Sequence, residues 1–259
     1  MTLTEALLVA LGAFFAGGMN AIAGGGTFFS FPAMLAAGVP PVTANASNSV
    51  ALWPASLSSA WAYRKEAMRH GRWAVILVIV SLIGGLTGGL LLLATSNAAF
   101  SKLIPWLLLV ATSLFAFSAQ VSRLVAWSKR RLGAKVSEGP RTSVGGVLFQ
   151  LAVAIYGGFF GAGMGILTLA ALSIQGYEDM QELNALKNLT SAVNYTIAAV
   201  TFIVVGAISW PHTLVALATA TVGGMAGAAV AKRMPAIWLR RFVIAVGATL
   251  TVIYFGKSY

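Results

Sequence analysis

The sequence predicts an all-α protein: a polytopic bundle of transmembrane helices, about 8–10 membrane segments in two inverted repeats with broken or re-entrant helices. Three observations carry this. The 259 residues are 58% hydrophobic and only 9% charged, where a soluble domain carries about 25% charged residues. Several stretches run about 20 residues without a charge, roughly 30 Å as helix, which matches the hydrocarbon thickness of a bilayer. A glycine-rich interruption also occurs twice, 139 positions apart, once through Gly24, Gly25 and Gly26 and again through Gly161, Gly163 and Gly165. No run of about ten alternating polar and apolar residues suggests an outer-membrane barrel.

The apolar segments run at 3–23, 26–37, 43–63, 73–95 and 103–127, and again at 142–158, 164–175, 182–207, 211–231 and 239–256. A shift of 139 superposes Gly24 on Gly163, Gly26 on Gly165, Asn45 on Asn184, and Gly84, Gly85 and Gly88 on Gly223, Gly224 and Gly227. Five segments in the same order argue for a duplication. The chain divides into a first membrane repeat (1–127), a basic cytoplasmic linker (128–141) and a second membrane repeat (142–259). Segments 26–37 and 164–175 are too short to cross a bilayer straight, so they read as half-helices or re-entrant pieces.

Orientation follows from Lys and Arg. Three stretches hold 14 of the 17: Arg64 to Arg72, Arg123 to Arg141 and Lys232 to Arg241. Cytoplasmic loops concentrate these residues, and placing all three inside requires halves of opposite orientation. The same placement explains the net charge of +11 without nucleic acid, because the charges form no single face for a duplex. The start lacks the basic region of a signal peptide. There is no cysteine, so thiol chemistry and Cys-based metal sites are excluded. His70 and His212 are solitary, so no metal site is expected. No serine has a recognisable catalytic base, so no catalytic residues, enzyme activity or cofactor are expected.

Candidate binding residues gather at two kinds of place. At the breaks, Asn20, Gly24, Gly25, Gly26 and Thr27, with Ser30, and then Gly161, Gly163 and Gly165, let backbone approach a solute. The helices that restart near Thr27 and Ile166 present free N–H groups and a partial positive charge, which suits an anion. Packing through small residues is the competing reading. At the head of the third segment of each half come Asn45, Asn48 and Ser49, then Asn184, Lys187, Asn188, Ser191 and Asn194. The latter five share one helical face. A polar stripe on an apolar helix faces the bundle interior or a water-filled cavity, and an intramembrane lysine suggests function. For Lys187 the alternatives are snorkelling to the interface or pairing with Glu182 or Glu178. The GxxxG spacings Gly84/Gly88, Gly85/Gly89 and Gly223/Gly227 read as helix contacts. Trp53, Trp61, Trp73, Trp106, Trp210 and Trp238 read as interfacial anchors.

The stretch from Gly17 to Thr27, with Phe31-Pro32 and Gly38 to Asn45, resembles the TauE/SafE family of membrane permeases, the sulfite exporters. The second copy, Gly157 to Gly165 with Leu183 to Asn188, is similar to that family's second repeat. The resemblance covers nearly the whole chain. It implies a secondary transporter, an exporter of small sulfur-containing anions such as sulfite or organosulfonates, working by alternating access in the cytoplasmic membrane. Many members carry Thr-Asn-Lys where this chain has Ser47, Asn48 and Ser49, so the first-half lysine is absent and Lys187 stands alone. A passive anion channel and a carrier for a different small organic anion are the alternatives. The expected partners are a small sulfur-containing anion and membrane lipid, with no nucleic acid; assembly into a homo-oligomer is left open.

Overall fold

The computed structural model describes residues 1–22, 25–131, 144–177, 179–231 and 236–258. Eleven helices account for nearly all of these: α1 (Leu3–Ile22), α2 (Thr27–Ala36), α3 (Pro41–Ala62), α4 (Arg64–Met68), α5 (Gly71–Ala94), α6 (Asn97–Arg131), α7 (Val144–Phe159), α8 (Met164–Ile174), α9 (Met180–Val205), α10 (Trp210–Ala231) and α11 (Ala236–Ser258). The apolar segments of the sequence reappear as helices, with α4 added between the third and fourth. One boundary moves. The polar linker was expected from residue 128, but α6 continues as helix to Arg131; Gly24, Glu178 and most of the linker lie outside the described residues.

Local chemistry sets several helix ends. Pro41 follows Pro40 and opens the first turn of α3, where its missing N–H costs nothing. Asp179 caps α9, its side chain accepting from the backbone N–H groups of Gln181 and Glu182 at 2.7 and 3.0 Å. Gly206 ends α9 in the left-handed conformation, φ 72°.

Four described helices are long and apolar enough to cross a membrane: Leu3–Asn20, Gly71–Ala94, Asn97–Phe117 and Met180–Val205. Helix α3 is as long but carries Asn45, Ser47, Asn48, Ser49 and Ser56, all buried. Its polar groups point into the bundle, where all but Asn45 Oδ1 have a hydrogen-bond partner among the described residues. Large apolar side chains such as Leu7, Ile83, Leu90, Val204, Met225 and Val252 are exposed on the outside, the surface that a hydrocarbon solvent tolerates.

Helix directions follow from contacts. Glu5 lies near His212, so α1 and α10 begin together; Val42 N–H donates to Asn97 Oδ1 at 2.9 Å, so α3 and α6 begin together. Ser209 N–H donates to Ser47 Oγ at 2.9 Å, which joins α10 to that same face. His70, before α5, lies near Glu182 at the head of α9, on the opposite face. Trp106 packs on Phe255, and Gly247 approaches Thr112, so α6 and α11 run antiparallel. The helix ends flanking all three basic stretches therefore share one face, called the basic face below.

The packing is reciprocal between the halves. Helix α1 packs on α10 as α7 packs on α5, and α3 packs on α10 as α9 packs on α5; α3 meets α9 and α6 meets α11 across the middle. The glycine pairs make these approaches close, as expected. A Cβ on Gly88 would overlap the Ile155 carbonyl of α7, and one on Gly223 would overlap the Phe14 carbonyl of α1. At the centre, the buried rings of Phe31 on α2 and Phe160 after α7 meet edge-to-face at 5.5 Å. Helix α2 thus packs on the second break within the main hydrophobic core.

Candidate functional site

Each short helix folds back along the helix before it. A Cβ on Gly12 would meet Ala33 and Phe29, and one on Gly26 would meet Ala16 and Asn20, so α1 and α2 form an antiparallel hairpin. The short segments are re-entrant in this sense. Helix α2 begins at Thr27 as expected. Helix α8 begins at Met164, two residues before the expected start, because Gly161 (φ 82°) and Gly163 (φ 77°) turn the chain in left-handed conformations. The Tyr156 hydroxyl closes this turn by donating to the Ala162 carbonyl at 2.6 Å.

Beside this second break lies a cavity of about 110 Å³. A single water needs roughly 10–15 Å³ of such space, so the cavity takes a solute of a few heavy atoms. One wall is the start of α8, with Gly161, Met164, Gly165, Ile166 and Leu169. The other is polar: Lys187, Asn188, Ser191 and Tyr195 from α9, Ser56 and Ser59 from α3, and Asn20 from the end of α1. Both halves build it.

Lys187 is partly buried. Its Nζ donates to Asn184 Oδ1 at 3.2 Å, and Asn184 in turn donates to the Met180 carbonyl at 2.8 Å. The expected alternative partner Glu182 instead faces His70; Glu178 lies outside the described residues. Among the described residues no carboxylate lies within 4 Å of Lys187, and none lines the cavity. A cation with only a neutral amide for company, facing a small cavity of hydroxyls and amides, favours an anion there.

The predicted residues therefore separate. Asn20, Gly161, Gly165, Lys187, Asn188 and Ser191 come together in the cavity. Thr27, Ser30 and Asn48 form a second cluster, nearly sealed at 4%, 1% and 1% exposure. There Ser30 Oγ donates to Asn48 Oδ1 and to the Gly26 carbonyl, and Asn48 Nδ2 donates to Thr27 Oγ1 at 3.4 Å. Tyr195 lies between the two sites, lining the cavity with its phenol near Thr27. Asn45 and Ser49 hold backbone: Asn45 Nδ2 reaches the Phe159 carbonyl, and Ser49 Oγ reaches the Asn45 carbonyl at 3.0 Å. Gly25 abuts Phe115 and Val243, and Gly163 caps α8. Gly24 lies outside the described residues.

Two corrections concern the polar stripe and the tryptophans. Asn194 turns away from the cavity, donating to the Ala154 carbonyl of α7 at 2.8 Å. Tyr195, one position on, takes its place. Trp53 is no interfacial anchor: its Nε1 donates to Thr196 Oγ1 at 2.8 Å, from α3 to α9. Trp73 is likewise buried, packed with Leu77, Leu172 and Tyr177, whereas Trp61, Trp106 and Trp210 are exposed. Ser56 and Ser59 were missed although three-residue spacing puts them on one face of α3. No charge or glycine marked them in the sequence.

Comparison with known proteins bears on what such a fold does. The family description "Sulfite exporter TauE/SafE" matches residues 9–254. The chain belongs to the TauE/SafE family. A relative from Haemophilus influenzae named "Probable membrane transporter protein" is 26% identical over 251 residues, 95% of this chain and 92% of that protein. "Probable membrane transporter protein ORF9" from a Sinorhizobium species is 23% identical, covering 93% of this chain and 88% of its own. "Probable membrane transporter protein YfcA" from Escherichia coli K12 is 22% identical, with 92% and 85% covered. No solved structure matches the chain. This TauE/SafE protein is thus a helical membrane protein of a transporter family.

Proposed function

We propose that the chain is a secondary carrier that exports a small sulfur-containing oxyanion, such as sulfite or a short sulfonate, across the cytoplasmic membrane by alternating access. The single observation that carries the reading is Lys187. Its ammonium has one neutral partner, Asn184, and faces a cavity otherwise lined by neutral groups. Sheltering a cation this way costs several kcal/mol, which a bound anion offsets. Asn20, Ser56, Ser59, Asn188 and Ser191 supply hydrogen bonds to replace the hydration shell. One cation suits one negative charge. The reading needs no catalytic group and no cofactor.

Alternating access is supported by the opposite running of corresponding helices. Helices α3 and α9 meet antiparallel, as do α6 and α11. Opposite running of corresponding helices is what inverted repeats require. The cavity sits toward the basic face, near the head of α9 and the tail of α3, and the basic face is cytoplasmic by the distribution of Lys and Arg. The Thr27–Ser30–Asn48 cluster lies toward the other face and is closed. A polar cavity toward one face with a sealed cluster toward the other favours a carrier over a passive channel.

The test is counterflow in proteoliposomes preloaded with sulfite, thiosulfate, sulfoacetate, taurine or acetate. A carrier shows accelerated uptake with one or more sulfur anions, lost in Lys187→Ala. Unchanged kinetics and charge preference in Lys187→Ala would remove Lys187 from the site. Flux without counterflow would favour the channel.

A further inference from the structure

Both histidines of the chain sit against a carboxylate belonging to the other half. His70 precedes α5 at the basic face, and its Nε2 lies 3.8 Å from Oε1 of Glu182 on α9. His212 is in the first turn of α10 at the opposite face, and its Nε2 lies 4.0 Å from Oε2 of Glu5 on α1. Both Nε2 atoms are buried and have no hydrogen-bond partner among the described residues. The rings are held. His212 Nδ1 shares a 2.7 Å hydrogen bond with Ser209 Oγ, and Ser209 N–H is bonded to Ser47 on α3. His70 stands edge-on to Tyr177 at 5.3 Å.

A neutral imidazole has one N–H for its two ring nitrogens, so it cannot donate to the carboxylate and from the other nitrogen at once. Protonation gives both ring nitrogens an N–H and a charge opposite to the carboxylate. We propose that the two pairs, His70–Glu182 and His212–Glu5, are proton-binding sites that latch half to half, one at each mouth, and couple transport to protons. The coupling rests on the carrier reading above. Each latch acts on a helix that reaches the cavity: Glu182 lies five positions before Lys187 on α9, and α1 runs from Glu5 to Asn20. Protonation of either histidine draws its carboxylate in and holds that face shut.

The other charged groups around each pair are few. Glu66 of α4, Arg69 just after it and Asp179 before α9 border a cavity of about 320 Å³ shared with His70 and Glu182; Arg72 of α5 is exposed. Burial, and then the Glu182 carboxylate, push the Tyr177 phenol up to about 12, so it exchanges no proton near neutrality. At the opposite face, Glu5 also lies 3.9 Å from the Met1 amino group, while Ser47 and Ser209 are neutral.

Tag-free protein in nanodiscs, labelled at histidine, gives two imidazole signals to titrate by NMR. Glu182→Gln should alter the pH-dependent signal of His70 alone and Glu5→Gln that of His212 alone. Signals indifferent to both substitutions overturn the proton sites. In proteoliposomes, acidifying the basic-face side from about pH 7.5 to 5.5, across the ordinary histidine range, should slow counterflow about twofold or more. His70→Gln should abolish that response and spare the response to acid on the other side; His212→Gln should do the reverse. Wild-type pH responses in both variants overturn the coupling. No counterflow with any anion overturns the carrier reading and the coupling with it, while the NMR titration still decides whether the pairs bind protons.

Discussion

Asn45 of α3 donates through Nδ2 to the main-chain carbonyl of Phe159, 2.8 Å away at the end of α7. The bond runs from the first half to the break of the second, at a residue with no exposure. The Phe159 carbonyl belongs to a helix end, where the chain turns and the next donor is missing. In Asn45→Leu that carbonyl stays buried without its partner. Stability should fall by about 1–3 kcal/mol, read as a lower thermal midpoint in detergent. An unchanged midpoint would mean that another donor or water serves the carbonyl.

The close helix approaches make a second, contrasting pair. Gly88→Ala forces a Cβ onto the Ile155 carbonyl, a backbone atom that cannot step aside, whereas a Cβ on Gly145 meets nothing within 4 Å. Gly88→Ala should separate α5 from α7 and lower the thermal midpoint sharply. Gly145→Ala should leave it unchanged or raise it slightly, since alanine is the better helix former by about 1 kcal/mol at most. Similar behaviour of the two variants would show that α5 and α7 do not pack as described.

The absence of cysteine makes thiol labelling clean. Ser59 is exposed at the cavity and Thr27 is only 4% exposed. A membrane-impermeant maleimide should modify Ser59→Cys from the basic face and leave Thr27→Cys untouched in the state described. Saturating substrate should slow labelling of Ser59→Cys. Equal labelling of both positions from the basic face would mean an open path through the protein.

Gly163 offers a test of the break itself. Its φ of 77° is a conformation that costs an L-residue roughly 1–2 kcal/mol. Around it a Cβ would find only ordinary contacts, the nearest at 3.6 Å. Gly163→Ala should therefore fold with a modest loss of stability and a larger loss of transport, because the strain falls on the turn that aims α8 at the cavity. A loss of stability without a loss of transport would detach this turn from the site.

Much of the site was legible in the sequence for a reason that can be named. Lys187, Asn188 and Ser191 are costly in an apolar helix, so their presence alone marks an inward stripe. The duplicated glycines marked the breaks in the same way. The stripe's continuation was not legible, because Asn194 and Tyr195 lie three and four positions after Ser191, and both spacings return to one helical face. Which of them lines the cavity depends on where α7 lies, since the Ala154 carbonyl claims Asn194. Trp53 misled for a related reason: an indole read as an interfacial anchor is placed otherwise once Thr196 is found across from it.

The sequence by itself determined the solvent, the helices and the common sidedness of the basic stretches. Hydrophobicity, helix length and charge are local properties, and the bilayer's thickness converts them directly into spans and loops. Only the tertiary structure decided which polar residues meet. It sealed Thr27, Ser30 and Asn48 in one cluster, opened Lys187 to a cavity shared with Asn20, Ser56 and Ser59, and set each histidine against a carboxylate of the other half. Such meetings join residues far apart along the chain, and they follow from how helices cross and pack, which single-chain periodicity does not encode.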